Sequence, residues 1–375
     1  MKKVLFLSTF VLCCILIGCG GDDGGTNGNG DETPPPRLVA VDTVSAPSML
    51  DANDPVWNQI DSVEVEVGFY PSYGQNPQLY KDTLLMKVIK TADMIYIWAN
   101  WRDGTADLYG RYSRKLEPPN IGGSWEHIYT ADGGGGEDGF FIIFDAGDNG
   151  EEGADCALMC HAVQYRMATT GGGHVDAWCW KSATTNPGFL AEDQWWSSVG
   201  NIKDPNPQLN PQVLYATNWD PGTSAERPHI GDPDYMHPDD TAFHGIYLYE
   251  DVMVEYDNDP FIGWDSVAGY RMPGHFIDST IYSSEERDDR WDVLAISHYD
   301  SLSTWHRWTV VLARTLTPSS SNDVDLSDVD SIQITIAVTN DHTFAYDDDW
   351  GVDAGFRDHS GSVPFYLILN QSAEE

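Results

Sequence analysis

The sequence predicts an all-β fold, an antiparallel β-sandwich, and three observations support it. Short segments either alternate apolar with polar residues or run continuously apolar, and they are rich in β-branched and aromatic residues, as strands are. No segment shows a long helical period. The chain has 375 residues with 12% aromatic side chains, including 14 tryptophans, which is enough to fill a large core. These features together favour a sandwich of two packed sheets.

The strands are predicted in order along the chain. Residues 63–67 alternate valine with glutamate, as a half-buried strand does. Residues 84–89 and 94–101 follow, separated by the short hairpin-like link 91–93. Residues 140–144 are continuously apolar, which predicts a central strand. The remaining strands are predicted at residues 245–256, 305–313, 331–339 and 364–369.

One long stretch interrupts this pattern. Between Asp145 and His244 about a hundred residues carry few strand signals and many glycines and prolines. Long irregular insertions in compact domains are usually functional or disordered. This one contains Trp178, Trp180 and the tryptophan pair 195–196, which argue against disorder. We therefore predict a functional insertion in the sandwich.

The N-terminus predicts export and a lipid anchor. Lys2 and Lys3 precede the apolar run 4–17, which is shorter than the roughly 20 residues of a transmembrane helix and fits a signal peptide. The run ends in Leu-Ile-Gly-Cys, which resembles a bacterial lipobox, so Cys19 is the predicted lipid attachment site. An ordinary signal peptide with an incidental cysteine is the alternative. Residues 20–36 contain no core-forming side chain and read as a flexible tether, which favours the lipoprotein.

The predicted organisation is therefore a signal peptide at residues 1–18, a tether at 19–37 and one folded domain at 38–371. The protein is expected outside the cytoplasm, lipid-anchored at the periplasmic face of a bacterial membrane or at the cell surface. A formal net charge of −39 argues against nucleic acid as a partner. The acidic turns 145–151 and 347–349 read as solvated loops rather than Ca²⁺ sites. No motif of a hydrolase or phosphate-binding enzyme is present, so no catalytic residue is predicted.

The cysteines point to a cofactor. Once the signal peptide and the lipidated Cys19 are set aside, Cys156, Cys160 and Cys179 remain, an odd number that a disulfide framework would not use up. Residues 156–161 form a C-x-x-x-C-H run, one residue longer than the c-type haem attachment motif C-x-x-C-H. In that motif two thiols bond the haem vinyl groups and the histidine, here His161, binds the iron. A disulfide beside an incidental histidine is the alternative.

Several further patterns occur in one order along the chain. They are a D-x-x-D-x-x-W turn at 51–57, with Ala52 where glycine is usual; an aromatic strand at 95–103; Glu-Asp at 137–138, followed by Gly139 where arginine is usual; D-x-W-C-W-K at 176–181, with Cys179 where histidine is usual; Asn-Pro-Gly at 186–188; Glu-Asp at 192–193; a W-x-V-x-L-x-R-x-L strand within 305–316; and 336–338 with His359. Over roughly residues 39–369 the chain resembles the haem-binding domain of cytochrome c-552-type proteins and of the γ subunits of ethylbenzene-dehydrogenase-like molybdenum enzymes.

The resemblance implies a sandwich related to family 9 carbohydrate-binding modules, and electron transfer without substrate turnover at the haem. It implies a c-type haem held by cysteines and histidine, or a b-type haem held by methionine and lysine. The c-type arrangement is favoured because His161 directly follows Cys160. Met167 and Lys181 are the candidates for the iron's other face, with His174 a weaker one, although Met167 could be core filler and Lys181 could pair with an acid.

Two classes of function follow from the sequence. The first is a membrane-anchored electron-transfer protein that docks to a redox partner, for instance a periplasmic oxidoreductase. The second is a binding module without haem, for instance for carbohydrate, in which tryptophans act as stacking platforms. The C-x-x-x-C-H run favours the first class, because a sugar-binding module has no use for it.

Overall fold

The computed structural model of the chain divides it into two units, residues 1–34 and 35–375. The structure describes residues 36–43, 45–69, 81–104, 106, 112–115, 126–128, 137–147, 153–159, 168–169, 173–198, 200–203, 215–217, 235–236, 247–248, 254–255, 264–265, 269–273, 275–277, 289–302, 306–340 and 358–370. All of them belong to the second unit. Within these ranges no helix is long and apolar enough to cross a membrane.

The described elements are almost all strands. They are β1 (Arg37–Asp42), β2 (Val63–Phe69), β3 (Lys81–Lys90), β4 (Met94–Arg102), β5 (Tyr112–Lys115), β6 (Glu126–Ile128), β7 (Gly139–Asp145), β8 (His174–Lys181), β9 (Glu192–Ser197), β10 (Gly200–Lys203), β11 (Tyr215–Thr217), β12 (Tyr235–Met236), β13 (Tyr247–Leu248), β14 (Val254–Glu255), β15 (Trp264–Asp265), β16 (Gly269–Pro273), β17 (His275–Ile277), β18 (Leu294–Asp300), β19 (Arg307–Thr315), β20 (Ser331–Asn340), β21 (Asp358–Gly361) and β22 (Phe365–Ile368). One four-residue helix, α1 (Cys156–Met159), and 3-10 turns at Pro55–Gln59, Asn186–Gly188 and Asp289–Trp291 complete the described set.

Thirteen strands form one sheet that doubles back on itself. Its main order is β10-β9-β8-β7-β20-β21-β2-β3-β4-β19-β18, and β22 and β1 make a second connection between β20 and β3. We call β10, β9, β8, β7 and β20 the β8 layer, and β3, β4, β19 and β18 the β19 layer. The pairs within both layers are antiparallel, whereas β1 runs parallel to both of its neighbours.

The main core lies between the two layers. The β8 layer contributes Phe140, Phe144, Trp178 and Trp180, and the β19 layer contributes side chains such as Leu312, all of them buried. The rings of Trp180 and Trp308 meet edge to face with their centroids 5.2 Å apart, a favoured geometry for aromatic pairs. Each fully buried side chain of this kind stabilises the fold by about 1.5–3 kcal/mol.

A smaller core covers the outer side of the β19 layer. Tyr96 of β4 points away from the main core and packs with Trp57, which the 3-10 turn Pro55–Gln59 places there. Asp54 caps this turn, because its carboxylate accepts hydrogen bonds from the backbone N–H groups of Val56 and Ser48, each at 2.8 Å. These bonds also lower the pKa of Asp54. The D-x-x-D-x-x-W pattern is therefore a capped turn that anchors a tryptophan.

The predicted sandwich is confirmed, and the strands predicted at 63–67, 84–89, 94–101, 140–144, 305–313, 331–339 and 364–369 all have counterparts. The stretch between Asp145 and His244 is less irregular than predicted, because β8 and β9 lie in it and pair within the large sheet. Within the strand predicted at 245–256 the structure describes two short strands, β13 and β14, which belong to separate small sheets, and the rest of that range lies outside the described residues. The strands that were not predicted include β1, β18 and β21 of the large sheet.

Candidate functional site

The structure describes two of the predicted haem-binding positions. Cys156 begins α1, and Lys181 is the last residue of β8. Cys160, His161 and Met167 lie outside the described residues, as does the lipidation candidate Cys19. The weaker candidate His174 begins β8, where its ring lies edge-on to the ring of Trp195 with centroids 5.2 Å apart.

Lys181 lies on the side of the β8 layer that faces away from the main core. Successive side chains of a strand alternate between faces. Trp178 and Trp180 pack in the main core, so Ala177 and Cys179 point the other way and form a separate apolar cluster. Lys181 follows Cys179 by two residues and therefore shares this side, which we call the outer face.

The helical turn at the start of the C-x-x-x-C-H run packs against the same outer face. Met159, the last residue of α1, is fully buried in the outer-face cluster together with Ala154. The backbone carbonyl and the carboxylate of Asp155 accept hydrogen bonds from the N–H groups of Met159 and Leu158, at 3.2 and 3.3 Å. These bonds close the turn against the sheet.

The chain returns to this turn nine residues later. The N–H of Ala168 donates to the carbonyl of Met159 at 3.1 Å, and Ala168 is fully buried. The next residue, Thr169, donates its N–H to the carbonyl of Ser197 at the end of β9. The described residues on either side of 160–167, Met159 and Ala168, are thus joined by a hydrogen bond beside the outer face, while the three predicted haem-binding residues between them lie outside the described residues.

Cys179 is a buried free thiol at the centre of the outer face. Burial raises the pKa of Cys179 well above its usual value, the negative charge of Glu192 adds to the rise, and the positive charge of Lys181 opposes it. The thiolate, not the thiol, is the reactive and metal-binding form of cysteine. Cys179 is therefore neutral and unreactive, and it makes no disulfide.

The cross-strand partner of Lys181 is Gly139 of β7. A Cβ atom at position 139 would lie 2.5 Å from Oγ1 of Thr339 and 2.8 Å from the ring of Phe141. Both of those side chains fill the space beside the glycine. An arginine, which is usual at this position in the haem-binding family that the sequence resembles, would therefore fit here only if Thr339 and Phe141 moved.

A buried polar chain borders the outer face along β9. Glu192, which pairs with Cys179, accepts the guanidinium of Arg290 on one carboxylate oxygen and the amide of Gln194 on the other, the latter at 2.9 Å. The carbonyl oxygen of Gln194 accepts the indole N–H of Trp196 at 3.0 Å. All four side chains are buried. The outer face is thus apolar at its centre and carries a compensated ion pair at one side.

A second group of buried charges spans the main core. Arg314 of the β19 layer crosses to the β8 layer, where its Nη1 lies 3.0 Å from carboxylate oxygens of both Asp176 and Asp193. The Oδ2 of Asp323 is 3.7 Å from the same nitrogen, and Nη2 donates to the carbonyl of Val324 at 2.7 Å. The three carboxylates lie close enough to hold a metal ion, but the guanidinium occupies the position between them.

The charges of this group shift one another's protonation. Burial raises the pKa of Asp193 well above its usual value, and the neighbouring charge of Asp176 raises it further. Burial alone would lower the pKa of Arg314, but the surrounding carboxylates, Asp176 first, raise it overall. The carboxylates therefore keep the arginine charged, and burial disfavours the ionised form of Asp193.

Several of the ordered sequence patterns supply hydrogen-bond acceptors for core tryptophans. Asp138 accepts the indole N–H of Trp308 at 2.8 Å, and Asn186 accepts that of Trp180 at 3.2 Å. Asp176, Asp193 and Arg314 were marked in the sequence only by their places in these patterns, and nothing in the sequence marked Asp323 or Arg290.

The described tryptophans do not form an exposed stacking surface. Those whose burial is described are buried, except for the half-buried Trp98 and Trp195. The ammonium of Lys87 lies 4.9 Å from the ring centroid of Trp98, so that ring already has a partner. Of the predicted acidic turns, Asp145 accepts the N–H of Gly147 at 3.0 Å, and 148–151 and 347–349 lie outside the described residues.

Comparison with known proteins identifies the family. No curated relative matches the chain. Among solved structures, a family 9 carbohydrate-binding module from Caldicellulosiruptor kristjanssonii in complex with glucose is similar, with 6% identity, 90% of this chain and 98% of that chain covered and a TM-score of 0.30. The sequence model described as ethylbenzene dehydrogenase matches residues 54–348, well over half of the chain. The protein therefore belongs to the ethylbenzene dehydrogenase family and carries its oxidoreductase-related domain.

Proposed function

We propose that this protein is an exported, lipid-anchored electron-transfer protein that binds haem at the outer face of the β8 layer. One observation carries the proposal: the turn that opens the C-x-x-x-C-H run packs on the same apolar face that ends in Lys181. Membership of an oxidoreductase-related family supports it.

The residues available at this face fit a haem. The group needs an apolar surrounding and one or two axial ligands. The outer-face cluster supplies the apolar surface. The sequence offers two thiols, an imidazole, a thioether and an amine as ligands, from Cys156, Cys160, His161, Met167 and Lys181, of which Cys160, His161 and Met167 lie outside the described residues. When bound, the haem iron would supply one-electron redox chemistry.

In the favoured c-type arrangement Cys156 and Cys160 would hold the haem covalently through their sulfur atoms. His161, together with Met167 or Lys181, would bind the iron. In the b-type alternative the cysteines would play no part, and Met167 with Lys181 would hold the iron. The apolar cluster would exclude water in either case, and the neutral Cys179 adds no charge to the face.

The haem proposal is tested with protein produced in a host that has cytochrome-maturation machinery. We expect a Soret band that shifts on reduction, and haem that stays on the chain in a denaturing gel. Replacing Cys156 and Cys160 together by serine should abolish that retention, and His161→Ala should shift the spectrum toward high spin. Cys179→Ser is the matched control, because its thiol is buried and protonated and should not affect attachment.

Two results would contradict this proposal. Haem that acid–organic extraction removes from the wild-type protein would replace the c-type arrangement by the b-type one. A colourless but fully folded protein from the same host would reject haem and return the function to a binding module without it.

The anchor is tested separately. Cys19→Ala should release the protein from membranes into the soluble fraction. Cys14→Ala is the control, because that cysteine precedes the proposed cleavage site. Unchanged membrane association of the Cys19 variant, with an unmodified N-terminal peptide, would reject the lipid.

The partner that we propose is a periplasmic oxidoreductase with a basic docking surface, which would complement the acidic chain.

A further inference from the structure

We infer that Glu137 is a positioning residue that fixes Lys181 as an axial ligand of the iron. The inference rests on the proposed function, with Lys181 as the second ligand. It concerns how the strand end that carries the lysine is held rigid. Glu137 acts through the turn after β8 and does not itself bind the iron.

The turn after β8 is held by hydrogen bonds to a single carboxylate oxygen of Glu137, which lies outside the turn. Oε2 of Glu137 accepts the N–H of Thr184 at 2.9 Å, its hydroxyl at 2.7 Å and the N–H of Ala183 at 3.3 Å. Ala183 and Thr184 are both buried, and a buried donor that loses its acceptor is costly. Glu137 therefore holds the turn by three bonds that its removal would break together.

The same turn clamps the backbone of Lys181. The N–H of Lys181 donates to Oγ1 of Thr185 at 2.9 Å, and the carbonyl of Lys181 accepts the N–H of Thr185 at 3.2 Å. The next N–H, that of Ser182, donates to the carbonyl of Asp138 at 2.8 Å, and the residue before Asp138 is Glu137. The backbone on both sides of the lysine is thus tied to residues 137–139.

This rigidity matters because lysine is a flexible ligand. Its amine sits on a four-carbon stem with about 2 kcal/mol of rotamer entropy, which is lost when the amine binds iron. A fixed backbone avoids a further loss of backbone freedom on binding. A loosened turn would weaken the iron–amine bond in competition with a free ligand.

The test uses haem-loaded full-length protein and added imidazole, which competes with Lys181 for the ferric iron. We expect Glu137→Ala to lower the apparent Kd for imidazole roughly tenfold, or about 1.4 kcal/mol. Thr184→Val, which removes only the 2.7 Å bond, should give a smaller decrease, and Lys181→Ala the largest. In the same variants, faster hydrogen exchange at the amides of 183–185 would report the loosened turn independently of the haem.

Val88→Ala is the matched control, because it removes buried apolar volume in the β19 layer, far along the sheet from Lys181. It should lower the melting temperature without changing the apparent Kd for imidazole. An equal change in Val88→Ala, or an unchanged Kd in Glu137→Ala, would overturn the positioning role. If Lys181→Ala binds haem with unchanged spectrum and Kd, the lysine is not a ligand and the inference fails while the haem proposal stands. A wild-type protein without haem would reject both.

Discussion

At the scale of single residues, the main core contains a group of buried charges around Arg314. Arg314 lies 3.0 Å from the carboxylates of Asp176 and Asp193 and 3.7 Å from that of Asp323. Buried charges are costly unless they are paired. Burial and the charge of Asp176 raise the pKa of Asp193, which disfavours its ionised form. Asp176 differs from Asp193 in that its Oδ2 also accepts the N–H of Val324 at 2.9 Å.

Their difference gives the first prediction. Asp193→Asn should change the free energy of unfolding at neutral pH by less than about 1 kcal/mol, because asparagine resembles the protonated acid and still accepts the bond from Arg314. Asp176→Asn should cost more, about 3–5 kcal/mol, because one carboxylate oxygen of Asp176 accepts hydrogen bonds from both Arg314 and the N–H of Val324, at 3.0 and 2.9 Å. Urea denaturation of the two variants measures both changes. Equal losses would contradict the assignment.

The same residue gives the protein a pH dependence. The pKa of Asp193 is 3.8 in an ordinary environment and is higher in the folded state. Between these two values the folded state holds a proton that the unfolded state lacks, so the free energy of unfolding falls as the pH rises. Asp193→Asn should remove this part of the slope, which denaturation curves at several pH values above 3.8 would show. An unchanged slope would place the proton elsewhere.

At the scale of elements, strands were predictable where their pattern is local. Residues 63–67 alternate clearly because β2 has a core side and an acidic side. Strand β8 was not predicted because it is buried on both faces and mixes tryptophans with Asp176 and Cys179. Its sequence therefore shows neither alternation nor a continuous apolar run. Strand β1 was not predicted because it is stabilised by pairing with β3 and β22, which are far from it in the sequence.

The candidate site was likewise predictable only where its residues form a local sequence pattern. The C-x-x-x-C-H run and Lys181 are visible because each is a short local pattern. The contacts that frame them, between Glu137 and Thr184 and between Glu192 and Arg290, join residues far apart in sequence. No periodicity marks such pairs. The outer face forms where α1 packs on β8, and no local sequence pattern indicates that contact.

β1 carries the prediction at the element scale. It is six residues long, yet it completes the second connection between the two layers. Leu38 on β1 is buried in the main core, whereas Val41 is 41% exposed. Leu38→Ala should lower the free energy of unfolding by about 2–5 kcal/mol. Val41→Ala on the same strand should cost less than about 1 kcal/mol. Similar losses in urea denaturation would mean that the strand does not seal the core as described.

At the scale of the whole molecule, charge dominates. The chain has 59 acidic residues against 20 lysines and arginines. Like charges repel more strongly in the compact folded state than in the expanded unfolded chain, so this imbalance destabilises the fold. It also keeps copies of the protein apart and would guide a basic redox partner toward it. Both effects act through the solvent and weaken as the Debye length shortens.

Salt should therefore stabilise this protein. Raising NaCl from roughly 0.01 to 0.5 M shortens the Debye length from about 30 Å to under 8 Å and screens the surface repulsion. We expect the melting temperature to rise, by roughly 2–4 °C for each kcal/mol of repulsion removed. KCl at the same ionic strength is the control, since a rise with only one of the two salts would indicate a specific ion site. The deficit of Asp176→Asn should persist at every salt concentration, because the Arg314 group is buried. A melting temperature that stays level or falls with both salts would contradict the view that surface repulsion limits the stability of the fold.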